Sequence, residues 1–135
     1  MGPIFENDLT GSIGTQKYLC TIKWRKDELI MDEPEKTGGK DLGIDPFSTL
    51  LASLAGCTLS TLRMYIDRKG WDIPEINISL NLHQEDTTDF TTVIKRKISF
   101  SKAISPEQEE RLLLIAEKCP ISKLLKGKIT INTNL

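Results

Sequence analysis

Residues 45–68 read DPFSTLLASLAGCTLSTLRMYIDR, and this stretch predicts one long helix. Asp45 is a favoured N-cap residue, and Pro46 suits the first helical position because its missing N–H would have no partner there. Gly70 follows closely enough to end the helix. A helix from Asp45 to Arg68 would extend for about 34 Å, since each residue adds about 1.5 Å.

The middle of this helix is apolar or small at nearly every position from Leu50 to Leu62. A helix that is apolar on all sides is buried on all sides. One chain of 135 residues has about one sheet's worth of strands to cover it, whereas two chains could enclose two such helices together. Small residues that would allow close helix approach are Ala52, Ser53, Ala55, Gly56 and Ser60. We therefore expect an intertwined homodimer; the alternative is a monomer with this helix laid in a curved sheet.

Strand patterns flank the long helix on both sides. The other predicted elements are strands at 17–24 and 28–32, a hairpin of strands 75–83 and 91–101 with its turn at 85–89, a helix opened by the capping box Ser105–Gln108, a short helix at 120–126 and a last strand at 128–133. Paired strands with helices between the pairs predict an α+β fold rather than a doubly wound parallel sheet. The length predicts a single domain over residues 1–135.

Composition excludes several classes of function. The formal net charge of −1 gives no general attraction to nucleic acids or to anionic membranes, so we expect neither as a partner. The segment Met1–Glu6 has no basic region followed by an apolar one, so no signal peptide is expected. Three widely spaced cysteines argue against a disulfide framework and for a reducing compartment, the cytoplasm. With one histidine, His83, the chain is expected to hold no metal and no cofactor.

The three cysteines differ in what their positions allow. Cys57 lies too deep in the long helix for the helix dipole to lower its pKa, so it is either an inert buried thiol or one activated by a cation from elsewhere. Cys119 directly precedes Pro120, so it is either the N-cap of the short helix, which would stabilise a thiolate, or the end of the preceding helix. Cys20 lies on the apolar face of a strand and is expected in the core. The basic run 95–97 is expected to be a solvated strand face.

Two cysteine motifs resemble a known family. Residues 38–46, GGKDLGIDP, lead to LLASLAGCT at residues 50–58, and RLLLIAEKCPIS follows at residues 111–122. In this order they resemble the OsmC/Ohr family, the osmotically inducible and organic hydroperoxide resistance proteins. The resemblance extends over nearly the whole chain from about Tyr18. Residues 61–65 and 69–71 are similar to its OsmC-like subgroup.

The resemblance implies a fold, a reaction and partners. The fold would be an intertwined homodimer with two long central helices wrapped by antiparallel β-sheets. The thiolate of Cys57 would reduce organic hydroperoxides, Cys119 would resolve the resulting sulfenic acid, and a lipoyl-type dithiol would reduce the disulfide. An apolar pocket formed by Phe47, Leu50 and Leu54 would bind the substrate.

The resemblance also implies a cation for the thiolate. Family peroxidases use an arginine from a segment before the long helix, and in this chain only Arg25 precedes Cys57. They also have a glutamate directly after the proline that opens the helix, where this chain has Phe47. The cation is therefore Arg25 or another residue such as Arg63 or Lys36. Two other functions stay open, namely an apolar-ligand binder and a redox sensor that uses a Cys57–Cys119 disulfide.

Overall fold

The structure is a computed structural model that describes residues 2–85 and 89–135. Within these residues it has three α-helices and two antiparallel sheets, which confirms the predicted α+β class. The chain separates into two compact units, the first ending at Leu50 and the second beginning at Leu51.

The first unit is built on a three-stranded antiparallel meander. Its strands are β1 (Thr10–Ile13), β2 (Cys20–Trp24) and β3 (Asp27–Met31), in the order β1-β2-β3. The register of β2 and β3 runs from Cys20 opposite Met31 to Trp24 opposite Asp27. The predicted strand at 17–24 is therefore shorter than expected, and the sequence analysis missed β1.

Asp32 holds the loop that leads from this sheet to the long helix. Its carboxylate accepts hydrogen bonds from four backbone amides, those of Tyr18 at 3.1 Å, Glu33 at 2.8 Å, Lys40 at 3.2 Å and Leu42 at 3.1 Å. Burial raises the pKa of Asp32, and these four bonds lower it by more, so the group stays ionised. Only glycine fits at Gly39, because a Cβ there would lie 2.0 Å from the carbonyl oxygen of Glu33.

The long helix α1 spans Pro46–Lys69, one residue from the predicted bounds at each end. The carboxylate of Asp45 accepts a hydrogen bond from the amide of Ser48 at 3.0 Å, as an N-cap does. Gly70 follows the helix with a φ of +67°, a left-handed conformation that glycine adopts without strain. Local capping residues therefore set both ends of α1.

The second unit continues with a β-hairpin and two helices. Strands β4 (Ile76–Gln84) and β5 (Thr92–Phe100) pair antiparallel, with Ile76 opposite Phe100. The predicted turn at 85–89 lies partly outside the described residues. Helix α2 (Pro106–Glu117) begins at the predicted capping box, with both of its hydrogen bonds formed. Helix α3 (Pro120–Lys126) has the predicted bounds.

The core of the second unit lies between α1 and α2. Its buried members are Leu62, Tyr65, Ile66, Ile73, Leu112 and Ala116. Partly buried hydrophobic side chains of β4 and β5 pack against them, among them Ile76 and Ile98. This core fixes α1, α2 and β5 relative to one another.

Helix α1 buries one stripe rather than its whole surface. The buried residues are Leu54, Thr58, Leu62, Tyr65 and Ile66. Apolar residues on other faces are exposed, including Met64 at 64 %. Among the helices described here, α1 alone has the length and apolar composition of a membrane span, properties that core helices of soluble proteins share.

The predicted last strand at 128–133 is wrong for the single chain. Residues 128–135 form no strand, and Ile129 and Ile131 are exposed at 54 % and 84 %. The alternating pattern is present in the sequence, but a strand forms only beside a neighbour that accepts its backbone hydrogen bonds.

Candidate functional site

Cys119 is the N-cap of α3, as one of the two sequence interpretations predicts. Its backbone is extended, with φ −60° and ψ 136°, and its sulfur accepts a hydrogen bond from the amide of Ser122 at 3.3 Å. The preceding helix ends at Glu117, which places Cys119 in the short link between two helices. The side chain has 0 % exposure, so the sulfur lies entirely inside the protein.

Three more side-chain groups surround the sulfur of Cys119. The hydroxyl oxygen of Ser122 lies 3.1 Å away and that of Thr58 lies 3.7 Å away. The side chain of Cys57 is the third, and it lowers the pKa of Cys119. Thr58 follows Cys57 in α1, so the segment that carries the first cysteine motif lies beside the cysteine of the second.

These contacts favour the thiolate form of Cys119. Burial raises its pKa, but the hydrogen bonds from Ser122, Thr58 and Cys57 lower the pKa by more. The result is a pKa of about 7, compared with an ordinary value of 9.0. A substantial fraction of Cys119 is therefore ionised at neutral pH.

Arg96 of β5 connects the residues around Cys119. Its Nη1 donates to the hydroxyl oxygens of Thr58 at 2.8 Å and Ser122 at 2.9 Å, and its Nη2 lies 3.4 Å from a carboxylate oxygen of Glu117. Glu117 also pairs with Lys126. The side chain of Arg96 is 12 % exposed. The prediction of a solvated basic face is thus wrong for Arg96, although it holds for its exposed neighbours at 95 and 97.

A cavity of about 350 Å³ borders this network. Leu54, a predicted substrate-binding residue, lines it together with Ile94 and Leu125. Arg96 and Ser122 form part of its polar wall. The cavity can therefore accept an apolar molecule that carries a polar group.

The other predicted site residues lie in the first unit. Phe47 and Leu50 occupy the first turns of α1 and are 60 % and 42 % exposed. Arg25 lies in the turn between β2 and β3 and lines a different cavity, beside Phe5 and Trp24. The candidate Lys36 lies in a short 3₁₀ turn.

Two further sequence candidates have other contacts. The guanidinium of Arg63 contacts Asp67 at 3.2 Å and the carbonyl oxygen of Ile73 at 2.8 Å. Its donors therefore bind residues near the end of α1 and in the loop that follows it. Cys20 is half-buried rather than in the core, and its thiol lies 3.6 Å from the carbonyl oxygen of Tyr18. In the part of the chain that the structure describes, no group of three or more His, Cys, Asp or Glu residues could hold a metal ion.

The sequence analysis missed three members of the site, Arg96, Thr58 and Ser122. A signal for Arg96 was available, because it has the same parity along β5 as Ile94 and Ile98 and so belongs to the apolar face of the strand. Ser122 lies three residues after an N-cap, where the amide that bonds to the cap is expected.

Comparisons with known proteins agree with this architecture. The sequence matches the OsmC-like protein family over residues 38–134. None of the curated proteins matches the sequence significantly. A solved OsmC-like protein from Mycoplasma pneumoniae is 20 % identical, with a TM-score of 0.71, and the match covers 93 % of this chain and 90 % of that one.

Two solved structures carry names that refer to hydroperoxides. An organic hydroperoxide resistance protein from Elizabethkingia anophelis is 16 % identical, with 93 % and 92 % of the two chains covered and a TM-score of 0.70. The organic hydroperoxide resistance protein OhrB of Bacillus subtilis is 22 % identical, with 93 % of both chains covered and a TM-score of 0.61. At these identities the likeness establishes the fold, and the match over residues 38–134 establishes that the chain belongs to the OsmC-like protein family.

Proposed function

We propose that the chain is a thiol-dependent peroxidase that reduces organic hydroperoxides, with Cys57 as the peroxidatic cysteine and Cys119 as the resolving cysteine. The observation that carries this proposal is that Cys57 of α1 lies close enough to Cys119, the N-cap of α3, to lower its pKa, next to a network held by the half-buried Arg96. Neighbours of the same fold that are named organic hydroperoxide resistance proteins support the substrate class.

The reaction balances with two thiols and one hydroperoxide. The sulfur of Cys57 attacks the terminal peroxide oxygen, the O–O bond breaks, and Cys57 becomes a sulfenic acid while an alcohol leaves. Cys119 then attacks the sulfur of Cys57, forming a disulfide and releasing water. The pair is oxidised by two electrons, and the hydroperoxide is reduced by two.

The different exposure of the two cysteines supports this division of roles. Cys57 is half-buried, whereas Cys119 has 0 % exposure, so an incoming hydroperoxide meets Cys57 first. Leu54 lies one turn before Cys57 along α1 and lines the apolar part of the neighbouring cavity. We assign Leu54 to substrate binding, and we retain Phe47, Leu50 and Arg25 as site residues on the strength of the sequence resemblance.

The same exposure favours a dithiol as reductant. A reducing thiolate would attack the sulfur of Cys57, and Cys119 would be the leaving thiol; its lowered pKa makes it a good leaving group. A second thiol on the same reductant then releases Cys57 without entering the buried part of the site. A lipoyl-type dithiol fits this requirement, and a reducing cytoplasm would maintain it.

Steady-state turnover tests the proposal. Purified protein is expected to consume cumene hydroperoxide when dihydrolipoamide is present, faster than it consumes hydrogen peroxide and faster than with a monothiol at equal thiol concentration. The measurement is loss of hydroperoxide over time. A rate no higher than that of dihydrolipoamide alone would exclude the peroxidase.

We also propose that the chain acts as a homodimer joined through α1. Exposed residues Ala52, Gly56, Ser60 and Met64 recur every fourth position and so form one face of the helix. The three small side chains on this face permit close approach of another helix. A second copy of α1 suits this face, because the same small residues would meet on both sides of a two-fold axis.

A further inference from the structure

Helix α3 is held in place mainly by polar contacts. In the part of the chain that the structure describes, the core between α1 and α2 includes no residue of α3, and the one buried side chain of this helix is Ser122. A helix of seven residues is too short to be stable without contacts to other elements. The position of α3, and of its N-cap Cys119, therefore depends strongly on the groups that bind Ser122.

Arg96 binds Ser122 and joins it to α1. Its Nη1 donates to the hydroxyl oxygen of Ser122 at 2.9 Å and to that of Thr58 at 2.8 Å, so a single nitrogen connects α3 with α1. Its Nη2 lies 3.4 Å from Glu117 at the end of α2, and Glu117 pairs in turn with Lys126 at the end of α3. One guanidinium thus contacts side chains from all three helices.

The strand that carries Arg96 is fixed independently of α3. Arg96 lies opposite Leu80 in the pairing of β5 with β4, and Ile98, on the same face of β5, packs against the core. The two hydroxyl groups that Arg96 binds belong to buried residues, where a hydrogen bond from a charged donor is stronger than in water. The guanidinium therefore anchors α3 to a strand that the core already holds.

Ser122 and Thr58 also contact the sulfur of Cys119. The amide of Ser122 lies 3.3 Å from this sulfur and its hydroxyl oxygen 3.1 Å, while the hydroxyl oxygen of Thr58 lies 3.7 Å away. The hydroxyl groups that Arg96 binds are thus the same ones that contact the sulfur. Because Thr58 directly follows Cys57 in α1, these contacts place Cys119 relative to the segment that carries Cys57.

We propose that Arg96 is a positioning residue for the resolving step, which holds α3 against α1 so that Cys119 can reach the oxidised Cys57. This role deepens the proposed function and rests on it, since it takes Cys119 as the resolving cysteine. Arg96 acts through the hydroxyl groups of Thr58 and Ser122. The attack of Cys57 on a hydroperoxide does not involve α3, so loss of Arg96 slows the second covalent step and spares the first.

The resolving step balances with one thiol and one sulfenic acid. The sulfur of Cys119 attacks the sulfur of Cys57, the S–S bond forms and the S–O bond breaks. The departing hydroxide and the proton released by the Cys119 thiol make one water. Such a step depends on the placement of the attacking atom, because a misplacement of about 1 Å can slow a reaction on the order of a hundredfold.

A thiol–disulfide equilibrium tests this role without any hydroperoxide. In a Cys20→Ser background, the protein is equilibrated with reduced and oxidised glutathione, and the Cys57–Cys119 disulfide is quantified by mass spectrometry. Arg96→Met removes the hydrogen bonds of the guanidinium and is expected to lower the equilibrium constant for this disulfide about tenfold or more. Lys95→Met removes an exposed positive charge from the same strand, so this matched control should leave the constant unchanged.

A chemical trap separates the two covalent steps. The protein receives one equivalent of cumene hydroperoxide together with dimedone, which reacts with sulfenic acids. The Arg96→Met protein is expected to consume the hydroperoxide at the natural rate but to accumulate the dimedone adduct on Cys57, whereas the natural chain gives the disulfide. Arg96→Lys can donate to both hydroxyl groups from one nitrogen and is expected to restore most of the disulfide. A merely structural defect would slow both steps.

Several results would overturn this role. They are an unchanged equilibrium constant in a folded Arg96→Met protein, an equal loss in the Lys95→Met control, and equal slowing of both covalent steps. Ser122→Ala removes the hydroxyl between the guanidinium and the sulfur, and its expected loss of disulfide keeps the test decisive if Arg96→Met does not fold. If the natural chain forms no Cys57–Cys119 disulfide, the resolving cysteine of the proposed function fails as well, whereas the other results leave the peroxidase intact.

Discussion

Replacing Cys57 with serine is expected to reduce hydroperoxide consumption to the rate of the reductant alone. A serine hydroxyl stays protonated at neutral pH and does not attack the O–O bond, so the first covalent step is lost. Loss of a nucleophile of this kind lowers turnover at least about a thousandfold. The measurement is steady-state loss of cumene hydroperoxide with dihydrolipoamide in excess.

The matched control for this variant is Cys20→Ser. Cys20 is half-buried in the first unit, and its thiol lies near the carbonyl oxygen of Tyr18, a contact that a serine hydroxyl can also make. Its turnover should therefore stay close to that of the natural chain. Equal turnover by the Cys57→Ser protein and the natural chain would contradict the assignment of the peroxidatic cysteine.

The second large effect is expected from Gly56→Glu, which should convert the dimer into monomers. Within the described part of one chain, a Cβ at Gly56 would have no atom within 4 Å, so the substitution leaves the fold of the single chain undisturbed. Against a second α1, the added carboxylate would be buried without a partner, which costs several kcal/mol. Sedimentation velocity measures the change in mass, and circular dichroism checks the helix content.

Lys97→Gln serves as the control for Gly56→Glu. It changes the net charge by the same amount, but its exposed side chain lies on β5 rather than on the small-residue face of α1. This control is expected to remain dimeric. A natural chain that sediments as a monomer would exclude the dimer, and a Gly56→Glu protein that stays dimeric would move the interface away from this face.

Local signals made the helices predictable from the sequence. Asp45, Ser105 and Cys119 each act at a helix N-terminus through side-chain atoms that bond to the first turn. Such bonds join residues three positions apart, so they depend on neighbours that the sequence itself displays. The helix bounds therefore agree with the structure to within about one residue, except where a boundary depends on tertiary packing.

Pairing between distant segments was harder to predict. The alternation at 128–133 is that of a strand, yet no strand forms there, because pairing requires a partner that this chain does not supply. The strand β1 was missed because Thr10–Ile13 includes a glycine and lacks strong alternation. In both cases the outcome depends on a neighbouring strand rather than on the segment itself.

The two cysteines of the candidate site could be predicted from the sequence, but its arginine could not. Cys57 and Cys119 follow from the motifs, whereas Arg96 lies in the middle of β5. Because Arg96 belongs to the basic run 95–97, this part of the strand has the pattern of a solvated face. The run hides the alternation of the strand, since Lys95 and Lys97 point to solvent while Arg96 lies between two inward-facing isoleucines. The parity of the strand therefore predicts the orientation of Arg96 better than the local charge density does.

The pairing of Cys57 with Cys119 can be tested by mapping the disulfide that forms during turnover. Fully reduced protein receives one equivalent of cumene hydroperoxide, free thiols are blocked, and peptides are identified by mass spectrometry without reduction. One linkage is expected, between Cys57 and Cys119, with Cys20 recovered as a blocked thiol. Recovery of Cys57 and Cys119 as separate blocked thiols, or a linkage of either one to Cys20, would contradict it.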